Sequence, residues 1–273
     1  MLPTNHFKRA LQEGRAQIGV WSTIPSPYVS ELIAGAGYDW VLLDTEHTPT
    51  DVPLMLSQLQ ATAAAQSADG MLPVHAVVRP AWNDTVLIKR YLDIGAQTLL
   101  LPFVQNAAEA QAAVRATRYA PEGIRGMGGS TRAANFGRTA NYVSHAAEEL
   151  CVLVQVETLE ALDQIEAIAA VDGIDGIFIG PADLSASLGY PGQPGHPEVR
   201  RAIDDAIRRI RACGKAPGIL MVDEARAREC LALGAQFVAV ALDTVTLRNN
   251  LDATALRFRS ESPARAEPAQ GSY

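Results

Sequence analysis

Two apolar runs in this chain each stop abruptly at a carboxylate, and that pattern restricts the fold more than any other feature. Cys151 to Val156 is rich in Val and Leu, with one polar interruption at Gln155. It ends at Glu157, and a helical pattern follows through Ala170. Gly176 to Ile179 repeats the form: the run breaks at Gly180-Pro181, a pair that ends a strand, and Asp183 lies just beyond. Two parallel strands then deliver Glu157 and Asp183 to the same end of one sheet. In parallel α/β proteins the side chains beyond the strand C-termini line the working face.

Each carboxylate also has a plainer reading, Asp183 as the N-cap of the helix ahead of it and Glu157 as a first-turn residue favoured by the helix dipole. Taken together at adjacent strand ends they point to a divalent cation. Hard carboxylate oxygens with no Cys or His set nearby suit Mg²⁺ or Mn²⁺ with water-filled positions, not a closed zinc site.

The rest of the chain repeats strand then helix. Strands are read at Gln17–Trp21, Asp39–Leu43, His75–Val78, Thr98–Leu101, Pro217–Met221 and Gln236–Leu242. Helices are read at Pro27–Ala36, Asp51–Ala65, Asp84–Ile94, Ala107–Arg118, Glu198–Ala212, Ala225–Leu233 and Thr244–Arg259, with a short plug helix at Asn5–Glu13. About eight such units close a parallel sheet into a single-domain (β/α)₈ TIM barrel over residues 1–259, leaving 260–273 as a tail of disordered composition. The long Gly-rich connection from Tyr119 to Gly137 reads as a lid or binding loop; it lacks a phosphate signature, because Thr131 stands where GxGxxG needs its last glycine.

Composition narrows the partner. The 273 residues, 48% of them hydrophobic, suffice for one full core, and a formal charge of −7 without a Lys/Arg cluster argues against nucleic acid or an anionic membrane. A small molecule is the expected ligand. Cys151, Cys213 and Cys230 have no pairing or metal-type spacing and read as small buried residues of a reducing compartment. The N-terminus has no apolar signal core and no run reaches ~18 apolar residues, so a soluble cytoplasmic protein is expected.

Projected onto one barrel end, the polar residues converge: Asp44, Glu46 and His47 after the second strand, Arg79 after the third, Gln155 and Glu157 after the fifth, Asp183 after the sixth. Trp21 and Leu220 add an apolar wall. Singly, His47 could be a loop histidine and Arg79 the ion-pair partner of Asp44 or Glu46. Jointly, a metal, an arginine and a His beside an Asp suit proton transfer next to a carbonyl, with metal and arginine stabilising an enolate.

The segments LLDTEH, VVRP, LDIGAQTLLLP, RYAPEGIRG, LVQVET and GIDGIFIGPADLSASLGYPG carry a resemblance to the class II, metal-dependent pyruvate aldolases of the HpcH/HpaI type, from about Phe7 to Arg257. The resemblance implies that Glu157 and Asp183 hold a divalent ion (Mg²⁺, Mn²⁺ or Co²⁺) and that Arg79 binds pyruvate. It implies that His47, with Asp44 behind it, is the acid/base pair. Gln155, Gly180 and Ala182 then lie near the substrate, and Trp21 and Leu220 match positions that shape the aldehyde pocket. It further implies a homohexamer and a place in aromatic compound catabolism. Thr45 departs from the Gly frequent in relatives, and Gln66–Pro73 reads as an insertion away from the strand C-termini.

The expected activity is a lyase cleaving a 4-hydroxy-2-oxo acid, such as 4-hydroxy-2-oxoheptanedioate or a 2-keto-3-deoxy sugar acid, reversibly into pyruvate and an aldehyde. The alternatives are a related barrel lyase acting on a CoA thioester or a phosphoenolpyruvate-like acid, and a keto-acid-binding barrel without catalysis. The only lysines, Lys8, Lys89 and Lys215, follow no strand C-terminus, so no Schiff base is expected.

Overall fold

The computed structural model describes residues 2–65 and 74–261, so the Gln66–Pro73 insertion and most of the expected tail lie outside the described residues. In chain order the elements are α1 (His6–Gln12), β1 (Gln17–Ser22), α2 (Pro27–Ala34), β2 (Trp40–Asp44), α3 (Val52–Ala64), β3 (His75–Arg79), α4 (Thr85–Asp93), β4 (Thr98–Leu101) and α5 (Ala107–Thr117). There follow α6 (Tyr142–His145), β5 (Cys151–Val156), α7 (Leu159–Asp163), α8 (Ile165–Ala169), β6 (Gly176–Ile179), α9 (Pro181–Ser187), α10 (Pro197–Ala212), β7 (Ala216–Leu220), α11 (Glu224–Leu233), β8 (Phe237–Leu242) and α12 (Asp243–Glu261). The eight strands are parallel and close in sequence order, β8 against β1, as the repeat count predicts. No helix among the described residues is long and apolar enough to cross a membrane.

The strand ends are held in place by the chemistry of the turns that follow them. Ser26, Asp51, Asp84, Asn106, Thr158 and Asp223 each cap the next helix by accepting a backbone N–H. Each cap is worth ~1 kcal/mol and fixes where the chain leaves the barrel mouth. Helices bury one stripe: Val199, Ile203, Ala206, Ile207 and Ile210 of α10 recur at helical spacing and are all buried. The helix expected through Ala170 is two short ones, because the Gln164 N–H turns back to Ala161 O at 3.1 Å and ends α7.

Two apolar layers result. Outward-facing strand residues such as Val41, Val78, Val154 and Ile177 pack under the helices. Inward-facing Trp21, Trp40, Leu42, Leu153, Phe178 and Phe237 fill the barrel, with Phe7 of α1 plugging its N-terminal end against His75 and Phe237. Gly19 has to be a glycine, because a Cβ there would lie 2.1 Å from the Trp40 ring.

The Gly-rich connection departs from its expected role. It joins α5 to β5, and a helix-to-strand link in such a barrel returns to the strand N-termini. Arg132 Nη1 accordingly donates to Ile94 O, and Arg132 and Phe136 line a cavity with Pro3 and Gln97 at that end. The segment closes the end occupied by α1 and is no lid over the carboxylates.

Candidate active site

Asp44 and Arg79 stand opposite each other in the register of β2 and β3, so their side chains leave the barrel together. Arg79 Nε donates to Asp44 Oδ1 at 2.8 Å and Nη2 to Oδ2 at 2.7 Å, while Nη1 lies 2.8 Å from Glu46 Oε2. Both Asp44 and Arg79 are buried, at 2% and 5% exposure. The guanidinium rests over the Trp21 ring, 4.7 Å from its centroid, a cation–π contact that fixes its plane. Two of its five N–H groups are spent on Asp44, and the Nη1 contact with Glu46 is an ion pair without a hydrogen bond, Glu46 Oε2 being buried with no hydrogen-bond partner.

Glu157 follows β5 and is also buried. Oε1 accepts from Phe103 N at 2.9 Å and Oε2 from the Gln155 amide, which lies two residues back on the same strand face. Gly180 makes this packing possible, since a Cβ there would come within 2.6 Å of Glu157 Oε2. Burial pushes the Glu157 carboxyl up to about 7; the Gln155 bond opposes this, and the charges of Asp183 and Glu46 reinforce it. Burial likewise raises Glu46, against the pull of Arg79. Asp183 sits in the first turn of α9 behind Gly180-Pro181, but Gly180 takes the cap position, so Asp183 is not the N-cap. It is exposed.

This donor set fits a divalent cation. Among the described residues neither Glu157 nor Asp183 has an ion-pair partner, and Gln155 Oε1 is buried with no hydrogen-bond partner. No cluster of three or more His, Cys, Asp or Glu among those residues could hold a metal ion by itself. Two carboxylates with the remaining positions left to water and substrate is how Mg²⁺ is usually held.

No hydrogen bond joins Asp44 to His47: both Asp44 oxygens accept from Arg79, and Oδ1 also accepts from Glu46 N. His47 is exposed at the mouth, its Nε2 3.9 Å from Glu46 Oε1. Of the other expected residues, Trp21 is buried beneath Arg79, Ala182 is exposed in α9, and Leu220 lines a cavity of about 510 Å³ beside the mouth.

Glu46, read from the sequence as one of the mouth residues and a possible partner of Arg79, does pair with it. Three residues were given no role by the sequence. Phe103, in the left-handed region at φ 54°, turns its N–H onto Glu157 and stacks on exposed Trp82. Asp243, at the end of β8, accepts from Ser22 Oγ, from Thr23 N and Oγ1, and from Ile24 N, tying β8 to the turn after β1. Nothing local flags Asp243.

Residues 17–250 match the HpcH/HpaI aldolase/citrate lyase family. Over 257 residues the chain is 56% identical to a pyruvate aldolase of Rhizobium etli, covering 94% of this chain and 98% of that one. It is 53% identical to a 4-hydroxy-2-oxo-heptane-1,7-dioate aldolase of Klebsiella pneumoniae, covering 93% and 94%. A crystal structure of a family protein from Burkholderia cenocepacia superposes with a TM-score of 0.89 at 38% identity, covering 94% of this chain and all of the other.

Proposed function

The chain belongs to the HpcH/HpaI aldolase/citrate lyase family, and from that premise we propose that it is a carbon–carbon lyase cleaving 4-hydroxy-2-oxo acids reversibly into pyruvate and an aldehyde. The observation that carries this reading is the buried guanidinium of Arg79, with N–H groups left over beyond its two bonds to Asp44, at the same barrel mouth as Glu157 and Asp183, which have no cationic partner among the described residues.

Glu157 and Asp183 would hold the divalent ion, Mg²⁺, Mn²⁺ or Co²⁺, and when bound it supplies Lewis-acid polarisation of the substrate's 2-oxo group. Arg79 binds the carboxylate end and stabilises the enolate oxygen with its spare donors. Asp44 holds that guanidinium in orientation and is a positioning residue. His47, the imidazole at the mouth, takes the proton of the 4-hydroxyl, with Glu46 beside it. The C3–C4 pair of electrons passes into the enolate, which a proton at C3 converts to pyruvate. Gln155 holds Glu157, and Gly180 lets the two pack.

A thioester or phosphoenolpyruvate substrate would call for cations facing phosphates. Arg200 and Arg226, which line the neighbouring cavity, are both paired with acids. A barrel that only bound keto acids would need no base at its mouth. Residues 246–259 of α12 are exposed along their whole length, and a helix gains most of its stability from packing, which supports a homo-oligomer, hexameric by the family resemblance. Breakdown of aromatic compounds is a fitting source of the substrate acids, and the cytoplasm a fitting location.

Pyruvate release from a panel of 4-hydroxy-2-oxo acids with added Mn²⁺ tests the function. Cleavage that stops on chelation and returns with Mn²⁺ is expected; undiminished cleavage in chelated protein would remove the metal from the scheme. Light scattering of the purified protein tests the assembly.

A further inference from the structure

We propose that Phe103 is a positioning residue of the cation site: its strained backbone aims one N–H at Glu157, and the ring of Trp82 clamps it in that conformation. The proposal rests on the reading above that Glu157 holds the divalent ion. Beyond Leu101, which pairs with Val154, the next backbone bond to β5 runs from Val104 N to Gln155 O at 3.0 Å. Pro102 and Phe103 lie between. Pro102 has no N–H, so Phe103 N is the main-chain donor that this step leaves outside the ladder. It donates to Glu157 Oε1 at 2.9 Å.

That direction depends on φ 54° at Phe103, in the left-handed region, where a Cβ crowds the following carbonyl oxygen and glycine is the residue at ease. Return of φ to the ordinary negative range swings the Pro102–Phe103 peptide, and its N–H, away from the carboxylate. A strained residue persists only where its surroundings over-determine it. Trp82 supplies the restraint: its ring stacks on Phe103 with centroids 5.3 Å apart and planes 28° apart. The stack is no part of the apolar core, since Trp82 is 52% and Phe103 38% exposed. Trp82 is itself anchored, because its carbonyl accepts from Asp84 N at 2.8 Å and Asp84 caps α4.

With Oε2 accepting from the Gln155 amide, both carboxylate oxygens are held by neutral donors, and each keeps a lone pair for the cation. The ligand is thus oriented before the ion arrives. Loss of such a supporting bond to a metal ligand costs ~10–100-fold in affinity. Substitution of Phe103 separates ring from strain: Ala removes the stack and leaves the left-handed strain, whereas Gly removes both.

Mn²⁺ affinity is measured without substrate at pH 8, from the electron paramagnetic resonance signal of free Mn²⁺. Trp82→Ala and Phe103→Ala should each weaken it ~10–100-fold. Phe103→Gly, alone or combined with Trp82→Ala, should bind within about threefold of wild type, because glycine holds the conformation unclamped. Wild-type affinity in either Ala variant, or Gly variants as weak as the Ala ones, would overturn the proposal. At saturating Mn²⁺, exchange of pyruvate methyl protons with D₂O should return to the wild-type rate in both Ala variants, since they keep every group that meets pyruvate. Exchange that stays slow would overturn the assignment of Phe103 to the cation site. Glu157→Gln separates the two levels. Binding as tight as wild type in that variant would overturn the reading of Glu157 as a ligand, whereas weak binding there beside undiminished binding in both Ala variants would overturn only the role of Phe103.

Discussion

Arg79 meets Asp44 through two parallel hydrogen bonds, Nε to Oδ1 and Nη2 to Oδ2, at directly opposed positions of β2 and β3. The pair is buried, so each side chain depends on the other. Asp44→Ala leaves an uncompensated guanidinium, with Glu46 its only remaining acid, and should cost ~3–5 kcal/mol. In a barrel of this size that lowers Tm by about 10 °C. Asp44→Asn retains one acceptor and should melt closer to wild type while still slowing pyruvate methyl exchange, because the fork is lost. An Asn variant exchanging at the wild-type rate would show that the orientation of Arg79 does not matter.

No lysine reaches the mouth. Lys8 Nζ donates to Glu148 O and Leu150 O, and Lys215 Nζ to Ile174 O, all at the end where the strands begin. Lys89 lies within α4, its side chain beside Gly126. Borohydride with pyruvate should therefore leave the protein mass unchanged. A stable adduct on any of the three would replace the enolate scheme with an imine one.

Glu157 sets a pH dependence for the metal-free protein. Its carboxyl titrates near 7 when folded and near 4.5 when free, so the folded state binds the extra proton between these values. Stability contributed by the protonated form is present below about 4.5 and is lost as pH rises through about 7, ~1–3 kcal/mol in all. In Glu157→Gln that loss should be absent, which urea melts of both proteins at pH 5 and pH 8 would detect. The same proton competes with a cation. Mn²⁺ binding to wild type should release protons near pH 7 and weaken below it; affinity flat from pH 5 to 8 would rule Glu157 out as a ligand.

The strands, their order and the strand-end positions of Glu157 and Asp183 were legible because apolar runs and breakers are local signals. Partners across the barrel were not. The resemblance pairs Asp44 with His47, yet both Asp44 oxygens accept from Arg79. The register of β2 with β3 assigns Asp44 to Arg79 instead. The plainer reading of Arg79 as an ion-pair partner is thus part of its geometry, and the N–H groups not bonded to Asp44 keep the functional one open. The Gly-rich connection was legible as a loop; its face followed from its joining a helix to a strand, a count the sequence already contained.

Asp243 shows the limit most clearly, since more than 200 residues separate it from Ser22, Thr23 and Ile24, and only closure of β8 on β1 brings them together. Its carboxylate accepts from Thr23 N and Ile24 N, both at 2.9 Å, and from the Ser22 and Thr23 hydroxyls. These residues directly follow Trp21, the ring beneath Arg79. Asp243 is therefore expected to position Arg79 through Trp21. Asp243→Ala strands two backbone N–H groups, so some loss of Tm is expected whatever its role. The distinguishing measurement is a double-mutant cycle on kcat/KM with Trp21→Leu. If Asp243 acts through Trp21, its removal should lower kcat/KM ~10–100-fold in wild type and much less once Trp21 is gone, a coupling expected of residues in one network. Losses that simply add would confine Asp243 to closing the barrel seam.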